Sequence, residues 1–348
     1  MLKKKIASLF LLLLICWVPF MTHSSKIKIG IISDANYYGE REVAWRIKIA
    51  AERLGWKVFL DEKRGRKIKK IKHLDWVICT LPGNKYLHKN CPVYQTIFHP
   101  FSYLDSEGKL EPFYEKYDGY LLTIGTSEAF ENGFKLKQKD LFTSTFYPTL
   151  QHIDYKKIEL KNLVTLIPVW SNRLTDEKFK TIYKILSRTL EAKFYGVPEN
   201  SHLVEKGYMG RLPFNGTSVI QALQESGIVL IFHSDIHNEV KIPSPRIFEA
   251  AAASTVIISD KNQFVQKHFG DAVLYVDTSL SPEEICTQIQ NHLDWIHQNP
   301  EVALEMAKKS HQIFADQFSM DHQLLDVLAM HEKVKQKKSR PPLNFWRR

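Results

Sequence analysis

From residue 27 onward the sequence alternates short β-branched runs with stretches of helical spacing, and it does so twice. That alternation restricts the fold to layered α/β architectures built on parallel sheets. In the first half, 27–33 (IKIGIIS) reads as a strand, 41–54 as a helix through Val43, Ile47, Ala50, Ala51 and Leu54, and 56–60 as a second strand. This is a βαβ opening. Apolar runs at 76–80, 93–98 and 120–124 continue the sheet, each ending in loop residues where α/β folds place ligands, and the first domain closes near Pro148. From Asn162 the pattern restarts. Strand 163–170 is followed by helix 175–190, with Asp176 and Glu177 in its first turn, and strand 193–196. A short strand or loop at 207–211, helix 216–225 and buried strand 228–233 (IVLIFH) come next. After a further helix and strand, 273–276 and helix 282–296 complete a second sheet, and helices over 300–335 are long enough to pack back across both domains.

The length of 348 residues fits two domains, and 44% hydrophobic residues suffice for two cores. An aromatic content of 12% argues against disorder. Forty-eight Lys and Arg against 38 Asp and Glu leave a net charge of +10, which favours an anionic partner. Cys16, Cys79, Cys91 and Cys286 show neither CxxC nor Cys/His metal spacing, so no disulfide framework or zinc site is indicated. At the N-terminus Lys3, Lys4 and Lys5 precede an apolar run from Ile6 to Met21. It suits a signal-peptide core or a short membrane anchor, and either makes the chain membrane-associated or exported, with the side of the membrane open. Asn215-Gly216-Thr217 is a formal glycosylation sequon.

The stretch Pro243 to Asp260, PSPRIFEAAAASTVIISD, is the most informative local signal. Ser244 suits a helix N-cap, Pro245 the first helical position, and 246–253 a small-residue helix that can lie close against a sheet. The run 255–259 then reads as a strand covered on both faces. A helix start offers backbone N–H groups and the positive end of a dipole, and Arg246 adds a planar fork matched to phosphate oxygens. The expectation is an anion site.

On PSPRIFEAAAAS, and on Ser171-Asn172-Arg173-Leu174-Thr175-Asp176-Glu177-Lys178 after the first strand of the second half, the chain resembles GT-B glycosyltransferases. It resembles the large retaining group 1 family, and within it the spore-coat CgeB-like group; the likeness covers about 162–315 well and the first half in layout. The resemblance implies two Rossmann-like doubly wound parallel-sheet domains facing a cleft. It divides the chain into a leader at 1–25, an acceptor domain at 26–158, a donor-binding domain at 159–315, and a terminal helix with a basic tail at 316–348. It implies an Arg with a Lys five positions later clamping the donor diphosphate, here Arg173 and Lys178, both expected to face the cleft. Ser244, Pro245 and Arg246 fall at the phosphate-facing helix start, and Glu249 at the nucleotide ribose hydroxyls. The loop His233 to Glu239, with Asn238, is expected to border the sugar. Two positions depart from the family pattern: Lys241 stands where it places a second Glu, and Ser254 where it places a glycine. The implied donor is a nucleotide-diphosphate sugar, without a metal or other cofactor.

On the acceptor side, Ser33-Asp34-Ala35-Asn36-Tyr37-Tyr38-Gly39-Glu40 resembles the acceptor loop before the first helix of this fold. Asp34 is a candidate base or a turn former, and His99 a candidate base because imidazole titrates near neutral pH. Two basic clusters remain, 63–72 (KRGRKIKKIK) and 333–348, each either a solvated face or a contact with anionic lipid. Neither has the interleaved aromatics of a nucleic-acid binder. The functional expectation is sugar transfer to a glycan, lipid or protein acceptor, aided by stabilisation of the departing diphosphate. The competing expectations are an exported two-lobed solute-binding protein and an inactive GT-B nucleotide-binding scaffold.

Overall fold

The structure is a computed structural model that describes residues 27–81, 87–98, 117–123, 142–168 and 172–339. The apolar segment 6–21, His99 and the tail beyond residue 339 therefore lie outside the described residues. None of the described helices is long and apolar enough to cross a membrane.

The first sheet contains β1 (Lys28–Ile32), β2 (Lys57–Asp61), β3 (Trp76–Cys79), β4 (Val93–Ile97), β5 (Gly119–Leu122) and β6 (Thr143–Thr145). The strands lie in the order β2-β1-β3-β4-β5-β6, and every neighbouring pair is parallel. Alternation along β1 explains why it is buried on both faces. Ile29 and Ile31 point into a core with Val43, Ala44 and Ile47 of α1 (Tyr38–Arg53), whereas Ile32 joins Val77, Cys79 and Val93 on the other side. The edge strand β6 has no distinct sequence signal, because its Thr-Ser-Thr is half exposed and carries no apolar alternation.

The second sheet is formed by β7 (Asn162–Leu166), β8 (Ala192–Tyr195), β9 (Tyr208–Gly210), β10 (Gly227–Ile231), β11 (Val256–Asp260) and β12 (Leu274–Val276). Its order is β12-β11-β10-β7-β8-β9, again parallel throughout. This is the doubly wound arrangement, with strand order reversing between β7 and β10. Val229, Ile231 and Ile257 face one core, and Ile228, Leu230, Val256 and Ile258 the other. The helices are α2 (Glu177–Thr189), α3 (Ser218–Ser226), α4 (Asp235–Glu239), α5 (Pro245–Ala252), α6 (Gln263–Phe269), α7 (Pro282–Gln298) and α8 (Pro300–Ile313). Sequence periodicity missed α4 and α6 because both are too short to show a stripe. Their starts are nonetheless capped, Ser234 accepting from the His237 N–H and Asn262 from those of Phe264 and Val265.

The last described helix returns to the first domain. After a π-helical turn (Phe314–Phe318), α9 (Met320–Ser339) lays Met320, Leu324, Val327, Met330 and Val334 into the core beneath α1. His331 is buried there, its Nδ1 2.6 Å from the Tyr94 hydroxyl. The crossing is held by an aromatic cluster of Tyr147, Phe248, Phe264 and Phe318, with ring centroids 5.2–5.9 Å apart.

Candidate functional site

The carboxyl ends of β1, β7 and β10 open on a cavity of about 540 Å³ between the two sheets. Parallel strands present their carboxyl ends, and the helix starts that follow them, to the same side, and the crevice forms where strand order reverses. The first domain lines it with Asn36, Tyr37, Tyr38, Gly39 and Glu40 of the β1–α1 connection and with Glu42 and Arg46 of α1. The second domain contributes Thr165 to β7's end, Arg173, Ser234 and His237, and Ser244, Pro245, Arg246 and Glu249 of the α5 start.

The α5 start has the geometry that its residues dictate. The Ser244 hydroxyl accepts from the Arg246 N–H, Pro245 occupies the first turn, and the free end of the helix faces the cavity. Ile247, Phe248 and 250–253 pack this helix against the sheet. At its far end Ser254 adopts φ 61°, in the left-handed region, despite its side chain. Its hydroxyl accepts from the Lys156 N–H and lies 3.2 Å from His311 Nδ1, two polar contacts that hold the turn. Lys241 is also left-handed, with φ 59°.

Arg173 reaches the cavity, its side chain only 3% exposed. The guanidinium lies 3.8 Å from the Phe179 ring centroid and 3.6 Å from an Asp260 oxygen. Burial lowers its pKa, opposed by the charge of Asp260. Asp260 is a hub that sequence reading did not single out: His233 donates to it from its backbone N–H, the His233 ring lies 2.7 Å away, and Asn238 donates to its other oxygen. Its carboxyl, which burial would raise, is held below the ordinary range by His233 and Asn238.

Two expectations are corrected by these positions, and for Asp34 one of two alternatives is selected. Lys178 does not face the cavity: Asp176 caps α2, and the Lys178 ammonium donates to the Thr278 carbonyl at 2.7 Å beyond β12. Asn238 does not line it either, because its amide spans Asp260 and Asn262 and closes the loop from behind. Asp34 has the geometry of a turn former and not of a base. It accepts from the Asn36 N–H and from Arg64, which together hold its carboxyl below the ordinary range.

Two carboxylates of the first domain line the cavity: Glu42, which Arg46 and the Gly216 N–H engage, and Glu40, in the first turn of α1. Burial pushes its carboxyl up, the direction a base working near neutrality needs. Its signal in the sequence was only its place at the end of the loop 33–40.

A buried ion network joins the two domains across the cavity. Arg46 of α1 bonds Glu42 at 3.0 Å and Glu249 of α5, and Glu249 gives its second oxygen to Arg246 at 2.6 Å. Each Glu249 oxygen thus accepts from an arginine. Burial would lower the Arg46 pKa, but Glu249 and Glu42 raise it. The loop after β9 docks on the same face of α1: both Glu42 oxygens accept from the Gly216 N–H, and the Phe214 ring stacks on Tyr38 at 5.2 Å. Arg211 covers that pair, 4.1 Å from the Tyr38 centroid. Gly216 has φ +85°, and a side chain there would come within 2.9 Å of Ile49.

Residues 181–329 match the family model described as glycosyl transferase-like. No curated protein sequence matches the chain significantly. Among solved structures, an alpha-glucosyltransferase in complex with UDP and a 13-mer DNA containing a HMU base is 9% identical, with a TM-score of 0.62 over 88% of this chain and 100% of that one. Sucrose-phosphate synthase from Thermosynechococcus elongatus is 11% identical, with a TM-score of 0.55 over 89% of this chain and 100% of that one. A glycosyltransferase from Rickettsia africae is 11% identical, with a TM-score of 0.52 over 89% and 99%. The chain spans 54% of the length of TarM, to which it is 12% identical with a TM-score of 0.46 over 74% of its own length.

Proposed function

We infer that this chain, glycosyl transferase-like over residues 181–329 and GT-B in fold, transfers a sugar from a nucleotide-diphosphate donor to an acceptor held by the first domain. The observation that carries this reading is the convergence of Arg173 and the capped, Arg246-bearing start of α5 on one cavity at the strand-order reversal. A diphosphate there meets backbone N–H groups, a helix dipole and two guanidinium groups, none of which needs a metal ion to present positive charge. These groups stabilise the diphosphate most as it departs, when its charge is greatest. Glu40, across the cavity, is the carboxylate we assign to the acceptor hydroxyl proton. The alpha-glucosyltransferase sharing the fold was solved with UDP, which makes UDP the first nucleotide to try.

Calorimetric titration of the full chain with UDP, GDP and their sugars tests the reading. At least one nucleotide is expected to bind, and Arg246→Ala to weaken it by roughly tenfold to a hundredfold, the worth of one charge-assisted hydrogen bond. Absence of binding by every nucleotide would overturn it. Binding that survives Arg246→Ala undiminished would move the phosphate site elsewhere.

A further inference from the structure

Arg246 brings positive charge to the start of α5, yet part of its guanidinium is already engaged. Its Nη1 donates to the Glu249 Oε2 at 2.6 Å, three positions along the same helix, while the side chain stays 34% exposed and lines the cavity. A carboxylate and an arginine at this spacing are within reach of a fork, two parallel N–H···O bonds that would occupy both oxygens. The second bond is not made, because a group of the other domain stands in its place. Arg46 of α1 donates from Nη2 to the Glu249 Oε1 and leaves Oε2 to Arg246.

Arg46 is held where it can do this. Its side chain is 2% exposed, and the nitrogen that reaches Glu249 also donates to Glu42, one turn earlier on α1, at 3.0 Å. Glu42 is fixed in turn by the Gly216 N–H, 3.1 Å from each of its oxygens. Glu42, Arg46, Glu249 and Arg246 therefore form a row of alternating charge that runs from the loop after β9 across α1 to the start of α5. In such a row, the division of Glu249 between its two arginines sets how much of the Arg246 charge remains for an anion.

We infer that Arg46 is a positioning residue for the donor phosphates: by holding one oxygen of Glu249 from the first domain, it keeps Arg246 from closing its fork on that carboxylate and so leaves guanidinium N–H groups for the diphosphate. This role rests on the glycosyl-transfer reading of the cavity. It gives the first domain a part in donor binding, although α5 belongs to the second. Donor affinity then depends on α1 being docked against α5.

The test titrates UDP and GDP calorimetrically into the full chain and into its variants Arg46→Gln, Glu249→Gln and Arg46→Gln/Glu249→Gln. Each single substitution breaks the same contact between α1 and α5, so a merely structural Arg46 would shift nucleotide affinity in one direction in both. The positioning role requires opposite directions. Arg46→Gln is expected to bind the nucleotide roughly tenfold more weakly, the lower end of the worth of a charge-assisted hydrogen bond, because Glu249 then takes the whole Arg246 fork. Glu249→Gln keeps the shape of the side chain without its charge and is expected to bind more tightly. With Glu249 neutral, Arg46 has nothing to hold back, and the double variant is expected to match Glu249→Gln. That match decides the matter if Arg46→Gln alone does not fold, since the double variant removes the opposing charges together. Unchanged or weaker binding in Glu249→Gln, unchanged binding in Arg46→Gln, or a double variant weaker than Glu249→Gln would each overturn the role of Arg46. Failure of the unmodified chain to bind either nucleotide would remove the glycosyl-transfer reading and this role with it. Binding that Arg246→Ala weakens, but that both single variants move the same way, leaves that reading standing and overturns the role of Arg46 alone.

Discussion

At the residue scale, one ion pair of the cavity, Arg46 with Glu249, joins the two domains. Glu249 is 1% exposed and shared between Arg246 of its own helix and Arg46 of α1. Burial would raise its carboxyl, but Arg246 and Arg46 outweigh that and hold it below the ordinary range. An acid depressed in the folded state adds stability above its unfolded value, near pH 4.3, and that stability is lost as the pH falls through the folded value. Glu249→Gln is therefore expected to flatten the decline of stability in acid, read by urea denaturation over a pH series. Glu249→Ala is expected to cost about 3 kcal/mol at neutral pH, since it leaves Arg46 buried with Glu42 alone. Unchanged urea midpoints in both variants would show that the network contributes nothing to stability.

At the scale of elements, α5 shows how local rules and tertiary demands meet in one helix. Its start follows from Ser244 and Pro245 alone, because a cap and a first-turn proline act over two or three residues. Its end is different. The turn into β11 requires a left-handed residue, and Ser254 accepts that conformation because Lys156 and His311 engage its hydroxyl. Ser254→Ala keeps the strained backbone and loses both polar contacts, so it is expected to destabilise by about 1–2 kcal/mol. Ser254→Gly loses the same contacts but relieves about 1 kcal/mol of backbone strain, and its thermal midpoint should lie above that of the alanine variant. The reverse order would mean that the turn is not strained.

At the scale of the whole molecule, the terminal helix α9 makes the first domain depend on the far end of the chain. His331 sits between Trp76, at 4.5 Å between ring centroids, and the Tyr94 hydroxyl. Burial, helped by Lys335, lowers its pKa to about 4. Between its unfolded value near 6.5 and about 4, the unfolded chain binds the proton and the folded chain does not, so stability falls as the pH falls across that window. Thermal melts from pH 7 to pH 4 should show this loss, and His331→Gln should remove most of its slope. An equal slope in the variant would place the acid sensitivity elsewhere.

The sequence by itself determined most of the elements and their order, with β6, α4 and α6 as the exceptions. Alternating periodicities, β-branched runs and capping residues act within a few positions, so both parallel sheets and the placing of Ser244, Pro245 and Arg246 at a helix start were legible without coordinates, while the doubly wound layout followed from the family resemblance. Lys178 was misplaced for the opposite reason: a charged residue on a loop has many partners within reach, and only packing selects among them. Thr278 lies 100 positions from Lys178, and Glu249 lies 203 from Arg46. Nothing in a chain with 48 basic and 38 acidic residues marks those pairs in advance. The tertiary structure alone decided which charges meet in the cavity, that Glu40 and not Asp34 lines it from the first domain, and that α9 completes that domain, because each is an outcome of surfaces brought together only when the two sheets have formed.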